Sequence, residues 1–128
     1  MAAGYDGEGV LIPGKYPQMN DKIASGLWST PYELLLIAKE FNMALNGRSL
    51  FLRRESAREM IKPTEDFSWV GLGLFLRGND TMVSQGWGEN GQSMLKMNFV
   101  TGEISVVMTN RNPEVDQSES GVEQLTAL

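Results

Sequence analysis

The chain has 128 residues, 41% of them hydrophobic and 21% charged, which suits one domain with a modest core and leaves too little for a second. Eleven basic residues against sixteen acidic ones give a net charge of -5, which on average repels nucleic acid and anionic membrane surfaces. With no cysteine and no histidine there is no disulfide framework, no thiolate metal site, no thiol nucleophile and none of the commonest general base.

Residues 1–26 are rich in glycine and proline without periodicity and read as irregular chain packed on something else. Met1 to Tyr5 also lacks the basic and apolar regions of an export signal, and the longest apolar run, residues 34–38, is far too short to span a bilayer, so the compartment stays unassigned. The helical region runs over 27–63. Thr30 is the N-cap of a first helix, Pro31 suits its first position, and Glu33 completes a capping box. Leu34, Ile37, Ala38, Phe41 and Leu45 recur at helical spacing, and Asn46-Gly47 closes the helix. A shorter helix is expected from about Arg54 to Ile61, ending before Pro63, with Arg53, Arg54 and Arg58 on a solvated face.

From Ser68 the texture becomes that of a sheet, over 68–110. "WVGLGLFLR", "TMVSQ", "SMLKMNF" and "ISVVMTN" are strands separated by the turn signals "GND" and "TGE", and such short connections make them antiparallel neighbours. Pro113 then opens a terminal helix over 113–128, carrying Val115, Val122 and Leu125 on one side. The expectation is a single α+β domain over 1–128: two helices, an antiparallel sheet of about four strands, and a short C-terminal helix.

Chemistry-bearing patterns are few. "SMLK" at 93–96 matches Ser-x-x-Lys, a pattern that needs both side chains on one helical face; in a strand, Ser93 and Lys96 point to opposite faces. Ser84 or Ser93 with Glu89 lacks the third group that would orient a base. Glu65-Asp66 and Asp6 with Glu8 have no calcium-loop spacing and read as solvated charge, so no metal site and no cofactor is expected. Met94, Met97 and Met108 read as fillers of core gaps. The stretch "SQGWGENGQSM" holds Gly86, Gly88 and Gly91 between strands, either as turn chemistry or as bare backbone for a ligand to approach.

From "GLWSTPYELLLIAKEFNMALNG" (26–47) onward, the sequence resembles the serine β-lactamase and penicillin-binding-protein family, in its class C and esterase-like branch. The likeness continues through "FLRRESAREMIKP" (51–63), "VGLGLFL" (70–76) and "SQGWGENGQSMLKMNFVTGEISVVMTN" (84–110), in the family's order. It implies the C-terminal part of the β-lactamase/transpeptidase-like fold, a hydrolase that transfers acyl groups of β-lactams, peptidoglycan peptides or esters. Family members are often extracytoplasmic.

The resemblance makes Ser84, Gln85 and Gly86 the cleft-wall triplet, with Ser84 where members carry lysine or histidine, and makes the main-chain N–H of Trp87 half of an oxyanion hole. The family's helical Ser-x-x-Lys and its Tyr-x-Asn lie upstream of the matched region, so no catalytic set is complete and the chain is expected to be inactive alone. Two strands that flank the last strand in the family lie upstream as well. Residues 104–110 are therefore expected to present an open edge, covered by a second copy or by an amino-terminal partner fragment. The rival expectation is a non-catalytic interaction module that dimerises through that edge.

Overall fold

A computed structural model describes residues 2–16, 20 and 25–126. Helix α1 (Pro31–Leu45) starts as its sequence dictates. The Glu33 N–H donates to the Thr30 hydroxyl at 3.2 Å and the Thr30 N–H donates to the Glu33 carboxylate at 2.8 Å. A reciprocal cap of this kind is worth about 1 kcal/mol. The Thr30 backbone N–H is also the main reason the Glu33 carboxyl is held below its ordinary range. The helix leaves through Asn46 and Gly47, whose φ of 71 is the left-handed value glycine adopts without strain. Helix α2 (Arg54–Met60) follows, with Arg53, Arg54 and Arg58 exposed and the Arg54 Nε donating to the Leu45 carbonyl at 3.2 Å.

Strands β1 (Phe75–Arg77), β2 (Thr81–Gly88), β3 (Gly91–Asn98) and β4 (Ile104–Met108) form one open antiparallel sheet in chain order. The central pair runs from Thr81 opposite Asn98 to Gly88 opposite Gly91. Alternation then sorts the side chains. Met82, Leu95, Met97, Ile104 and Val106 meet α1 and α2 in the main core, with Ala38, Leu45 and Ala57. Val83, Met94 and Val107 face the other way, against Val122 of a short helix α3 (Val122–Leu125). The sheet is thus covered on both faces, and Met94 and Met97 are among its most deeply buried side chains.

Three sequence expectations are corrected. The first strand does not span "WVGLGLFLR": only Phe75–Arg77 pairs with β2, because residues 70–74 turn back on themselves. The Gly71 N–H donates to the Leu74 carbonyl, and the Leu72 N–H reaches the Met60 carbonyl at the end of α2. Pro113 opens no helix: residues 113–121 are irregular, helix is confined to Val122–Leu125, Val115 and Leu125 are exposed, and residues 127–128 lie outside the described residues. Ile37, at a helical core position, is 57% exposed; it lines a shallow groove with Leu36, Phe41 and Phe51.

The amino-terminal chain packs on the sheet's far end. Tyr5 bridges both Leu11 and Arg111, its N–H donates to the Asn110 carbonyl at 2.8 Å, and Asn110 Nδ2 returns a bond to the Ala3 carbonyl at 2.8 Å. Asp6, read as solvated charge, closes the intervening turn by accepting the N–H groups of Glu8 and Val10. Of the expected irregular segment, residues 1, 17–19 and 21–24 lie outside the described residues.

A Cβ built on Gly71 would sit 2.3 Å from the Met60 carbonyl oxygen, so Gly71→Ala must force the 70–74 turn away from the end of α2. We expect it to lower unfolding free energy by about 2 kcal/mol, as overpacking against backbone does, measured as a fall in urea midpoint at unchanged m-value.

Candidate functional site

The four residues singled out in sequence, Ser84, Gln85, Gly86 and Trp87, all lie in β2, which does not break at Gly86 but runs on to Gly88. Pairing with β1 ends at Val83 opposite Phe75, so residues 84–88 have β3 on one side and no strand on the other. Their backbone directions follow from the ladder. The Thr109 N–H donates to the Gln92 carbonyl and the Asn98 N–H to the Glu103 carbonyl, so even-numbered residues of β3 turn their backbone groups toward β4 and odd-numbered ones toward β2. Opposite those odd-numbered residues stand Met82, Ser84, Gly86 and Gly88. Gln85 and Trp87 consequently direct N–H and C=O out of the sheet, and among the described residues neither has a backbone partner there.

Gly86 serves packing as well as access. A Cβ on it would lie 2.7 Å from the Ser93 hydroxyl across the strand pair. Gly91 is held to glycine more firmly, since its Cβ would stand 2.6 Å from the Thr109 carbonyl oxygen. Gly88 and Gly91 close the hairpin over Glu89 and Asn90. Close approach of the Thr109 carbonyl therefore accounts for Gly91, neither Gly88 nor Gly91 has a left-handed φ, and Gly86 sits within the strand beside the open edge.

Next to this edge is a hollow of about 470 Å³ lined by Trp69, Phe75, Leu76, Arg77, Val83 and Gln85. Gln85 is the one expected site residue among those walls. Trp69 stacks on Phe75 at 5.8 Å and Phe67 meets Trp69 edge-on at the same distance, giving an aromatic ledge beside the free backbone. Trp87 is 53% exposed and Ser84 also faces solvent. Sequence reasoning missed Trp69, Phe75 and Arg77 as walls, because it assigned them to one continuous strand.

Ser93 and Lys96 lie on opposite faces of β3, and no acyl-transfer pair forms. Lys96 is 6% exposed and its Nζ donates to the Glu123 carbonyl oxygen at 3.2 Å. Burial, then the nearby Arg77 guanidinium, pushes the Lys96 amine below its ordinary range, with Glu123 opposing. Arg77 in turn donates to the Glu123 carboxylate and holds that carboxyl below its ordinary range. The triad pins α3 to the sheet beside the hollow. Among the described residues no group of three or more acidic side chains stands close enough to hold a metal ion, and no helix is long and apolar enough to cross a membrane.

A lowered carboxyl pKa in the folded state stabilises at pH above the unfolded value of 4.5, and this contribution is lost as pH falls through the folded value. Lys96 has the opposite sense: its charged form is disfavoured by folding, so its cost disappears as pH rises toward 10.5. We expect Glu123→Gln to flatten the fall in Tm between about pH 5 and pH 3, and Lys96→Met to leave neutral-pH stability unchanged or raised. Thermal melts from about pH 3 to neutral check both.

No protein-family model, no curated protein and no solved structure matches this chain.

Proposed function

We propose that this chain is the C-terminal portion of a β-lactamase-like serine hydrolase and supplies one wall of its acyl-transfer cleft. The observation that carries the reading is the stretch 84–88 of β2, which outruns β1 and leaves the Gln85 and Trp87 backbone free beside a hollow with aromatic walls. An extended acyl group or peptide laid along that edge meets a carbonyl acceptor and N–H donors at strand spacing, the mode by which a sheet edge accepts another chain. In an acyl transfer, the Trp87 N–H would face the oxygen on which charge develops, and removal of one such donor elsewhere costs about 3 to 4 kcal/mol of transition-state stabilisation.

The chain's own residues do not complete the chemistry. A serine nucleophile needs a base within hydrogen-bond reach, and Ser93 and Lys96 are separated by the sheet. Nucleophile and base come, on this reading, from a partner polypeptide carrying the family's Ser-x-x-Lys and Tyr-x-Asn. With Ser84 in place of a cation, a substrate carboxylate would be met by Arg77, whose guanidinium borders the hollow.

Purified chain alone is expected to show no turnover of nitrocefin or 4-nitrophenyl acetate. In ¹⁵N-correlation spectra, an acyl-D-alanyl-D-alanine peptide or benzylpenicillin at millimolar concentration should shift the Gln85 and Trp87 amides ahead of those of α1. Undisturbed amides at 85 and 87 with both ligands would remove the reading.

The β4 edge favours self-association as a second property. Residues Ile104–Met108 carry no charge and no proline, the usual guards of an exposed strand, and no strand pairs with their outer side among the described residues. A second copy or an amino-terminal fragment would cover them. Light scattering over micromolar concentrations should give a mass above one chain; a strict monomer would leave only the fragment.

A further inference from the structure

Two of the three residues centred on Trp87 are glycines, Gly86 and Gly88, so the peptide groups on either side of Trp87 have more rotational freedom than any others in β2. An open edge adds to that freedom, since β1 does not reach them. Yet the Gly86 carbonyl, in the peptide before Trp87, and the Gly88 carbonyl, in the peptide that opens the hairpin, are each taken by a side-chain amide from the irregular strap that crosses the sheet after β4. Gln117 Nε2 donates to the Gly86 carbonyl at 2.9 Å and to the Ser93 carbonyl at 2.9 Å, bridging the facing pair of β2 and β3. Asn112 Nδ2 donates to the Gly88 carbonyl at 2.8 Å.

These amides are built in, not incidental. Gln117 and Asn112 are each 7% exposed. The Asn112 Oδ1 accepts from Gln92 Nε2 at 3.3 Å, and the Ser120 hydroxyl donates to Gln92 Oε1 at 2.6 Å, so the clasps are themselves held.

We propose that Gln117 is a positioning residue that reinforces the direction the β2–β3 ladder gives the Trp87 N–H and damps its motion. In a trans peptide the Gly86 carbonyl and the Trp87 N–H belong to one rigid plane and point in opposite directions. The ladder turns that carbonyl toward β3, and the Gln117 bond adds a second hold that keeps the N–H aimed at the open edge. The strap acts from beneath the sheet and touches no bound molecule. Its functional consequence rests on the cleft-wall reading, whereas the orientation itself does not.

The test is Gln117→Leu, read by ¹⁵N relaxation and by titration with the acyl-D-alanyl-D-alanine peptide. The Trp87 amide order parameter should fall from about 0.85 to below about 0.6, while those of Ser84 and Leu95 on the same strand pair stay rigid. Peptide-induced shifts at Trp87 should weaken about tenfold. A loss confined to one peptide plane is not what general destabilisation produces.

Gln117→Glu provides a second arm should the leucine variant fold poorly. Its ionised carboxylate cannot donate and should loosen Trp87, and protonation at low pH should restore order. A folded variant whose Trp87 amide stays as rigid as in the parent overturns the clasp. If Trp87 loosens while the parent protein binds no peptide, the clasp stands and the cleft reading falls. If the peptide shifts Trp87 equally in parent and variant, the reverse holds.

Discussion

The antiparallel pairing of Thr81–Gly88 with Gly91–Asn98 is the constraint on which the rest of the molecule depends. Its register sends Met82, Leu95 and Met97 toward the two helices and Val83, Met94, Gln92 and Lys96 toward the terminal strap. A slip of one residue would drive Lys96 and Gln92 into the apolar helix side and strand Leu95 and Met97 among amides. The same register leaves the far half of β2 without a neighbour on its outer side, because β1 is only three residues long. The open edge is thus a by-product of how the hairpin is built and how early the preceding chain turns away.

The two faces of the sheet are stabilised differently. On the helix side, burial of apolar surface suffices, and truncating a methionine as deeply buried as Met97 would cost about 2 to 5 kcal/mol. On the other side, the strap contributes little apolar area and is held by amide and hydroxyl groups on Gln92, Asn112, Gln117 and Ser120. Such groups are costly to bury unless each is partnered, and among the described residues no buried side-chain nitrogen or oxygen lacks a partner. Polar bonding of this kind is directional, which is what a flexible glycine strand needs and what apolar contact does not provide.

Much of the fold was legible in sequence because its signals are local. The capping box at Thr30 and Glu33, the Asn46-Gly47 exit and the turns before Thr81 and Ile104 each rest on residues within a few positions of one another. The α+β order and the antiparallel sheet followed from them. What escaped was set by distant contact. The Met60 carbonyl leaves no room for a side chain at Gly71, and residues 69–71 fold back on 74–76, which leaves the first strand three residues long. Val115 and Leu125 share an apolar spacing with Val122, yet only Val122 finds a core to enter.

The candidate site divides along the same line. Glycine spacing and a family resemblance pointed to residues 84–87, and of these Gln85 and Trp87 turn their backbone to the open edge whereas Gly86 turns its own toward β3. That Gln117, thirty-one positions from Gly86, would hold its carbonyl could not be read in the same way, since a glutamine in an acidic, serine-rich tail has no periodic signature. Trp69 and Phe75 were visible as aromatics, but their stacking depends on the turn at 70–74 that brings them face to face.

The docking of Ala3 and Tyr5 against Asn110 ties residues up to 107 positions apart, a non-local contact that needs the end of the sheet to be in place. On a ribosome, residues 3–5 are made about a hundred residues before their seat at Asn110 exists, so during synthesis that stretch lacks the partner it has in the finished fold.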